Sequence, residues 1–258
     1  MATKFYKYQG TGNDFILIDN RSLSFTKSAK EIERLCHRRF GIGADGLILL
    51  QNEEGFDFRM VYFNADGNEG SMCGNGGRCI VKFAHDLEIF RESTSFIATD
   101  GPHEATVNSE LVKLKMMDVT GITEMDGDSF LNTGSPHLIR EVSDLSKFDV
   151  KQHGSQIRFS EYWQAKEGVN INFTSYLPDN KLYVRTYERG VEDETYSCGT
   201  GVTAAAIHAV LRGGFEVPVN IETLGGDLSV SFEVLDEGTE ITNIYLSGPA
   251  KRVFTGEI

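Results

Sequence analysis

A chain of 258 residues with 40% hydrophobic and 24% charged residues has the make-up of a globular protein, and it is long enough for two domains with separate cores. A formal net charge of -13, with no Lys/Arg cluster, argues against nucleic acid or an anionic membrane as partner. The opening residues Met1–Gln9 carry no apolar leader, and no run reaches the roughly 18 apolar residues of a bilayer span. The expectation is a cytoplasmic protein whose thiols stay reduced. Its four cysteines, Cys36, Cys73, Cys79 and Cys198, form no Cys-x-x-Cys pair and no Cys/His cluster of zinc spacing, so no metal site is expected.

In chain order, residues 4–9 and 14–19 read as strands around the turn Gly10-Thr11-Gly12-Asn13-Asp14. Thr26 or Ser28 can cap a helix running to about Phe40, with Ile32 and Leu35 inward. Gly41-Ile42-Gly43-Ala44-Asp45-Gly46 matches G-x-G-x-x-G in letters only. A helix precedes it and the strand Leu47–Leu50 follows, the reverse of a dinucleotide fingerprint. A strand is expected over Phe56–Phe63, ending in Asn64-Ala65-Asp66-Gly67. Then comes Met72-Cys73-Gly74-Asn75-Gly76 and a helix to about Phe90, followed by short strands over 94–118. Asp126-Gly127-Asp128 marks a plausible boundary. The second half reads as a strand near Phe130–Asn132, helix and loop to about Lys166, and strands near 168–175 and 181–187. Ser197-Cys198-Gly199-Thr200-Gly201 leads into an apolar helix through Leu211, ended by Gly213-Gly214. Strands near 218–223, 227–235 and 241–247 follow, with 250–256 returning to the first half.

The halves repeat. Aligned on Cys73 and Cys198, Tyr62 falls on Tyr187, Glu69 on Glu194, Gly74 on Gly199 and Gly76 on Gly201, all at one offset of 125 residues. A weaker echo pairs Thr11-Gly12-Asn13 with Thr133-Gly134-Ser135. Self-similarity of this kind determines architecture before any local motif does. The fold class expected is α+β: two pseudo-symmetric domains, each a mostly antiparallel, barrel-like sheet wrapped around a central helix. The first spans 1–120 with the tail 248–258, and the second spans 121–247.

A thiol at a helix N-terminus is made more acidic by the dipole, and the free N–H groups of the first turn can seat a carboxylate. One such thiol is more often a buried cysteine in a tight turn. Two at equivalent positions point to a paired task. Nucleophilic catalysis needs one thiol, usually with a histidine, and a dithiol oxidoreductase favours Cys-x-x-Cys. Inversion at a carbon bearing hydrogen needs a base on one face and an acid on the other. Without a pyridoxal electron sink, the carbanion charge must spread into the substrate carboxylate and be held there by fixed N–H dipoles.

At these residues the chain resembles the diaminopimelate epimerase family of pyridoxal-independent enzymes. The matching stretches are Gly10–Phe15, Gly41–Gly46, Phe63–Gly67, Met72–Arg78, Gly134–His137, Val169-Asn170, Tyr187–Gly190 and Cys198–Gly201. The resemblance implies an isomerase that interconverts LL- and meso-diaminopimelate in lysine biosynthesis, without cofactor, as a homodimer with its active site between the domains. It implies Cys73 and Cys198 as the acid/base pair, with His137 and Glu188 assisting. It implies Asn13, Asn64, Asn170, Glu188 and Arg189 as substrate ligands, and the loop groups of Gly74-Asn75 and Gly199-Thr200 around the reacting carboxylate. Two positions depart from the family: Ser135 stands where many members have Asn, and Gly46 where some have Gln.

Each residue also has a plainer reading. Asn13 and Asn64 sit in turns that favour Asn anyway. Arg189 and Glu188 could be a solvated pair, and His137 a structural histidine. Cys36 and Cys79 read as core thiols. The nearest rival is a two-cysteine racemase of proline or hydroxyproline, which usually carries His where Asn75 stands. Others are a non-catalytic or phenazine-biosynthesis-like relative, which lacks the cysteine pair, and a thiol redox protein.

Overall fold

The computed structural model describes residues 2–70, 72–236 and 240–258. It divides into two compact units, residues up to Leu114 with Gly248–Ile258, and Lys115–Ser247.

In the first unit, β1 (Lys4–Gly10) and β2 (Asn13–Asp19) form a hairpin. Its turn residues Thr11 and Gly12 both have positive φ, 48° and 85°, as a two-residue turn matched to strand twist requires. Helix α1 (Ala29–Cys36) then brings the chain back so that β3 (Gly46–Gln51) runs parallel to β2. Ser28 and Glu31 close a capping box at the start of α1. The helix ends at Cys36 rather than Phe40, because the carbonyls of Leu35 and Cys36 accept from the backbone of the glycine loop, at Ile42, Gly43 and Ala44. Strand β4 (Phe58–Asn64) pairs antiparallel with β3. Helix α2 (Gly74–Asp86) crosses over to β5 (Ser93–Ala98), parallel to β4. Strands β6 (Gly101–Asn108) and β7 (Leu111–Lys115) complete an antiparallel meander.

The second unit repeats this order. After β8 (Val119–Thr120) and β9 (Thr123–Met125), β10 (Asp128–Asn132) and β11 (Pro136–Glu141) form the hairpin. A 3-10 turn (Leu145–Lys147), α3 (Val150–Arg158) and α4 (Glu161–Gln164) lead to β12 (Asn170–Leu177), parallel to β11. Strand β13 (Lys181–Glu188) returns antiparallel to β12, and the short β14 (Asp193–Thr195) folds back to pair antiparallel with the end of β13. Helix α5 (Gly199–Gly213) crosses to β15 (Val219–Thr223), parallel to β13. Strands β16 (Gly226–Leu235) and β17 (Glu240–Pro249) finish the meander. The first unit's last strand, β18 (Lys251–Glu257), pairs antiparallel with β1. Strand β11 is absent from the expected order. Its sequence Pro-His-Leu-Ile-Arg-Glu opens on Pro and His, yet Leu138 and Ile139 are buried beside β10 and β12.

Each unit is thus a curled, mostly antiparallel sheet with one helix inside it. Helix α2 packs on β1, β2, β3, β6 and β18, and buries every residue from Gly74 to Val81. Helix α5 packs on β10, β11, β12, β13, β15 and β16, and is buried on nearly every side from Gly199 to Ala209. That enclosure explains its apolar, alanine-rich sequence. Cys36 and Cys79 are core residues, 3% and 0% exposed, and burial pushes the Cys36 thiol up to about 11. Among the described residues no helix is long and apolar enough to cross a membrane.

Candidate active site

Both central helices begin on the predicted thiols. Cys73 is the N-cap of α2 with extended backbone, and its sulfur accepts the Gly76 N–H at 3.2 Å. Cys198 is the N-cap of α5, also extended, with its sulfur 3.5 Å from the Thr200 hydroxyl. Side-chain acceptors at an N-cap satisfy donors that the helix itself leaves unpaired, and the helix dipole favours negative charge at the same place.

Around Cys73 the supporting groups come from the β1–β2 turn and the glycine loop. Arg78, one turn into α2 and wholly buried, donates to the Gly74 carbonyl (3.3 Å), the Thr11 hydroxyl (3.1 Å) and Asn75 Oδ1 (3.0 Å). All three acceptors are neutral, its Nε has no partner among the described residues, and burial lowers its pKa to about 10. Asn75 Nδ2 donates in turn to Asn13 Oδ1 (3.3 Å), and Asn13 Nδ2 donates to Asp45 (2.6 Å). Asp45 also accepts the Asp14 N–H at 3.1 Å. Arg38 bridges Asp14 and Asp45, and Lys7 pairs with Asp14 at 2.7 Å. Burial works against ionisation of Asp14, but the Arg38 and Lys7 cations outweigh it and hold the carboxyl at about 2. Asn13 and Asn75 are therefore brought together beside the Cys73 loop. Asn64 lies at the exposed end of β4, where its carbonyl accepts the Gly67 N–H and closes a turn. Gly46 faces the Tyr62 ring, 2.5 Å from where a Cβ would stand, so Tyr62 occupies the room that a longer side chain would need.

Around Cys198 the support is a chain of buried polar groups. His137, with no exposed surface, contacts the Thr200 hydroxyl through Nε2 (2.9 Å) and Asn172 Nδ2 through Nδ1 (3.0 Å). Burial first, then the nearby Arg189 cation, lowers its pKa from 6.5 to about 3. The imidazole is neutral throughout the physiological range. Its neutral form is favoured by the fold, so its stabilising contribution is full above pH 6.5 and is lost as pH falls toward 3. Below pH 6.5 that loss is about 1.4 kcal/mol per pH unit. Proton resonances of His137 should accordingly show no titration between pH 8 and pH 5, and a midpoint near 6 would contradict the burial argument.

Thr133, in the β10–β11 turn, donates to the Thr200 carbonyl at 2.9 Å, so this hairpin is tied to its thiol loop as Thr11 is tied to Arg78 in the first unit. Asn170 donates to Ser135 (2.9 Å) and to the Pro136 carbonyl (3.0 Å), and its Oδ1 accepts the Arg189 N–H (2.9 Å). It clamps the Ser135 turn to the end of β13. The departure at Ser135 is thereby accommodated, since its hydroxyl meets Asn170. Arg189 also donates to the Glu167 carbonyl at 3.2 Å, and Glu188 lies partly exposed at the end of β13. Sequence reasoning missed Arg78, Asp45, Asn172 and Thr186, whose hydroxyl donates to Asn172 Oδ1 at 2.9 Å. A signal existed for Asn172: in Val-Asn-Ile-Asn-Phe, two asparagines two apart share one strand face amid apolar neighbours.

Residues 5–122 and 129–253 match the diaminopimelate epimerase family. A diaminopimelate epimerase of Flavobacterium psychrophilum is 52% identical over 257 residues, covering 97% of this chain and 98% of that protein. One of Chlorobaculum tepidum is 43% identical over 261 residues, covering 96% and 98%. Among solved structures, a Bacillus anthracis phenazine biosynthesis protein of the PhzF family is similar with a TM-score of 0.78 at 16% identity, covering 100% of this chain and 99% of that one. A probable proline racemase from Agrobacterium radiobacter has a TM-score of 0.71 at 13% identity, covering 99% and 92%. These two likenesses concern the fold alone. With a cysteine at the N-cap position of each crossover helix, and near full-length similarity at this level of identity, the chain belongs to the diaminopimelate epimerase family.

Proposed function

We infer that this protein interconverts LL- and meso-diaminopimelate by moving a proton at one α-carbon, with Cys73 and Cys198 as the two acid/base groups and no pyridoxal cofactor. The observation that carries the reading is the repeated N-cap cysteine: each unit places a cysteine at the N-terminus of its central helix. The two thiols act on opposite faces of the carbon. One, as thiolate, takes the proton; the other, as thiol, delivers one; the reverse reaction exchanges their parts. The backbone N–H groups of Gly74-Asn75 and Gly199-Thr200 hold the α-carboxylate, into which carbanion charge spreads. Asn13, Asn64, Asn170 and Arg189 recognise the distal amine and carboxylate. A bidentate guanidinium suits the carboxylate, and Glu188 suits an ammonium. His137 acts as a neutral group beside the second thiol loop, and Glu188 assists proton transfer. The halves 1–120 with 248–258, and 121–247, are taken as the two functional domains. A homodimer in the cytoplasm, with its product used in lysine biosynthesis, completes the proposal.

The test incubates the purified protein with LL-diaminopimelate in D2O without pyridoxal phosphate. Deuterium at the α-carbon together with meso product is the expected result. Exchange and inversion of L-proline, with diaminopimelate untouched, would replace this reading by that of a proline-type racemase.

A further inference from the structure

Asn172 does more than fill the core of the second unit. It is wholly buried on β12, with Nδ2 3.4 Å from the Leu138 carbonyl and Oδ1 accepting the Thr186 hydroxyl at 2.9 Å. A backbone carbonyl only accepts, so the amide cannot be turned over without setting two oxygens against each other. The nitrogen end therefore faces Leu138 and His137, and His137 Nδ1, 3.0 Å away, must be the acceptor. A neutral imidazole that accepts at Nδ1 carries its proton on Nε2. Among the described residues that proton has one partner within reach, the Thr200 hydroxyl oxygen at 2.9 Å. With an oxygen lone pair occupied by His137, Thr200 has its own proton to give, and Cys198 Sγ lies 3.5 Å away.

We propose that Asn172 is a positioning residue for Cys198: by holding His137 in the Nε2–H form, it aims the Thr200 hydroxyl proton at the sulfur. The importance of that aim rests on the reading of Cys198 as an acid/base group. The Cys73 sulfur instead takes a backbone N–H, from Gly76. Of these two contacts, one is built into the backbone and the other is set by a tautomer. Charge is not needed on His137 for this role. Burial holds the ring neutral, and Arg189, the charged group acting on it, pushes the same way.

The decisive variant is Asn172→Asp. A carboxylate cannot donate to Nδ1 and accepts from Nδ1–H instead. In a ring that burial keeps neutral, this reverses the tautomer and turns Nε2 into an acceptor of the Thr200 proton, at a cost in stability from setting a carboxylate oxygen against the Leu138 carbonyl. Cys198 then loses its hydroxyl donor. A hydrogen bond to a charged group is worth about 1.5–3 kcal/mol, so the pH midpoint for alkylation of Cys198 should rise by about one to two units. Alkylation by iodoacetamide is followed peptide by peptide in the full chain, so Cys73 serves as the internal reference and keeps its midpoint. Thr200→Val should produce the same rise, Thr200→Ser should restore the wild-type midpoint, and Asn172→Asp should add nothing in the Thr200→Val background. Nitrogen-15 shifts of His137 should show Nε2–H in the wild type. An unmoved Cys198 midpoint in Asn172→Asp, or Nδ1–H or imidazolium in the wild type, would overturn the proposal. If Asn172→Asp does not fold, the wild-type tautomer and the Thr200→Val and Thr200→Ser midpoints decide it alone. Alkylation and nitrogen shifts are read without substrate, so they can fail or hold independently of epimerisation in D2O.

Discussion

Replacing either thiol, by Cys73→Ala or by Cys198→Ala, should lower epimerisation of LL-diaminopimelate by about two to four orders of magnitude, the range supplied by a single positioned acid or base. Inversion without a cofactor needs both a proton acceptor and a proton donor, so neither variant retains a complete pathway. The loss should appear in kcat and hardly in KM, because the backbone N–H groups that seat the carboxylate are untouched. Neither change should unfold the chain. Cys73 gives up one N-cap acceptor, and losing a cap is worth about 1 kcal/mol. Meso product formed at near wild-type rate by one single variant would refute the two-base assignment. The controls are Cys36→Ala and Cys79→Ala, whose cost should fall on stability, since both thiols are buried in the core.

The second large effect is expected at Gly201. A Cβ there would stand 2.2 Å from Asn172 Oδ1. Helix propensity alone predicts that Gly201→Ala stabilises, by up to about 1 kcal/mol. Packing predicts the reverse, and its magnitude wins. Asn172 cannot yield, because its amide is held by Thr186, His137 and the Leu138 carbonyl. Helix α5 cannot yield, because it is packed against β10, β11, β12, β13, β15 and β16. Overpacking of a rigid core costs about 1–3 kcal/mol. Buried polar groups that lose partners add about 1–3 kcal/mol more. A net loss of about 2–5 kcal/mol corresponds to a fall in Tm of roughly 5–15 °C for a chain of this size. Calorimetry would measure it, and an unchanged or raised Tm would show that β12 and α5 are not tightly packed here. Because the same contact orients Asn172, residual activity should fall in the surviving folded fraction too.

Much of the architecture could be read from the chain. The repeated Cys-Gly-x-Gly stretches place one thiol at the start of each central helix, and the apolar ring of residues 202–211 marks a helix with no solvent face. The glycine loop Gly41–Gly46 is flanked by helix and then strand, which excludes a dinucleotide fingerprint. What could not be read are links between distant segments. Lys7, Asp14, Arg38 and Asp45 form one ionic cluster only because the hairpin turn and the glycine loop meet in space. Arg78 looks like an ordinary helical arginine until the turn at Thr11 closes over it. Strand β11 opens on Pro136 and His137, residues of weak strand propensity, and it is set by pairing with β10 and β12 rather than by its own sequence. Thr200 entered the reading for its backbone, and its hydroxyl gains meaning only from His137, some sixty residues earlier.

Strand β18 occupies the outer edge of β1, with Phe254 against Phe5 and Gly256 opposite it. During synthesis, therefore, β1 waits with an unpaired edge until the whole second unit has been translated. The second unit, whose residues are contiguous, has all its partners in hand sooner. Of the two units, the one begun sooner is the one finished later, and its open edge is what nascent-chain chaperones would have to shield.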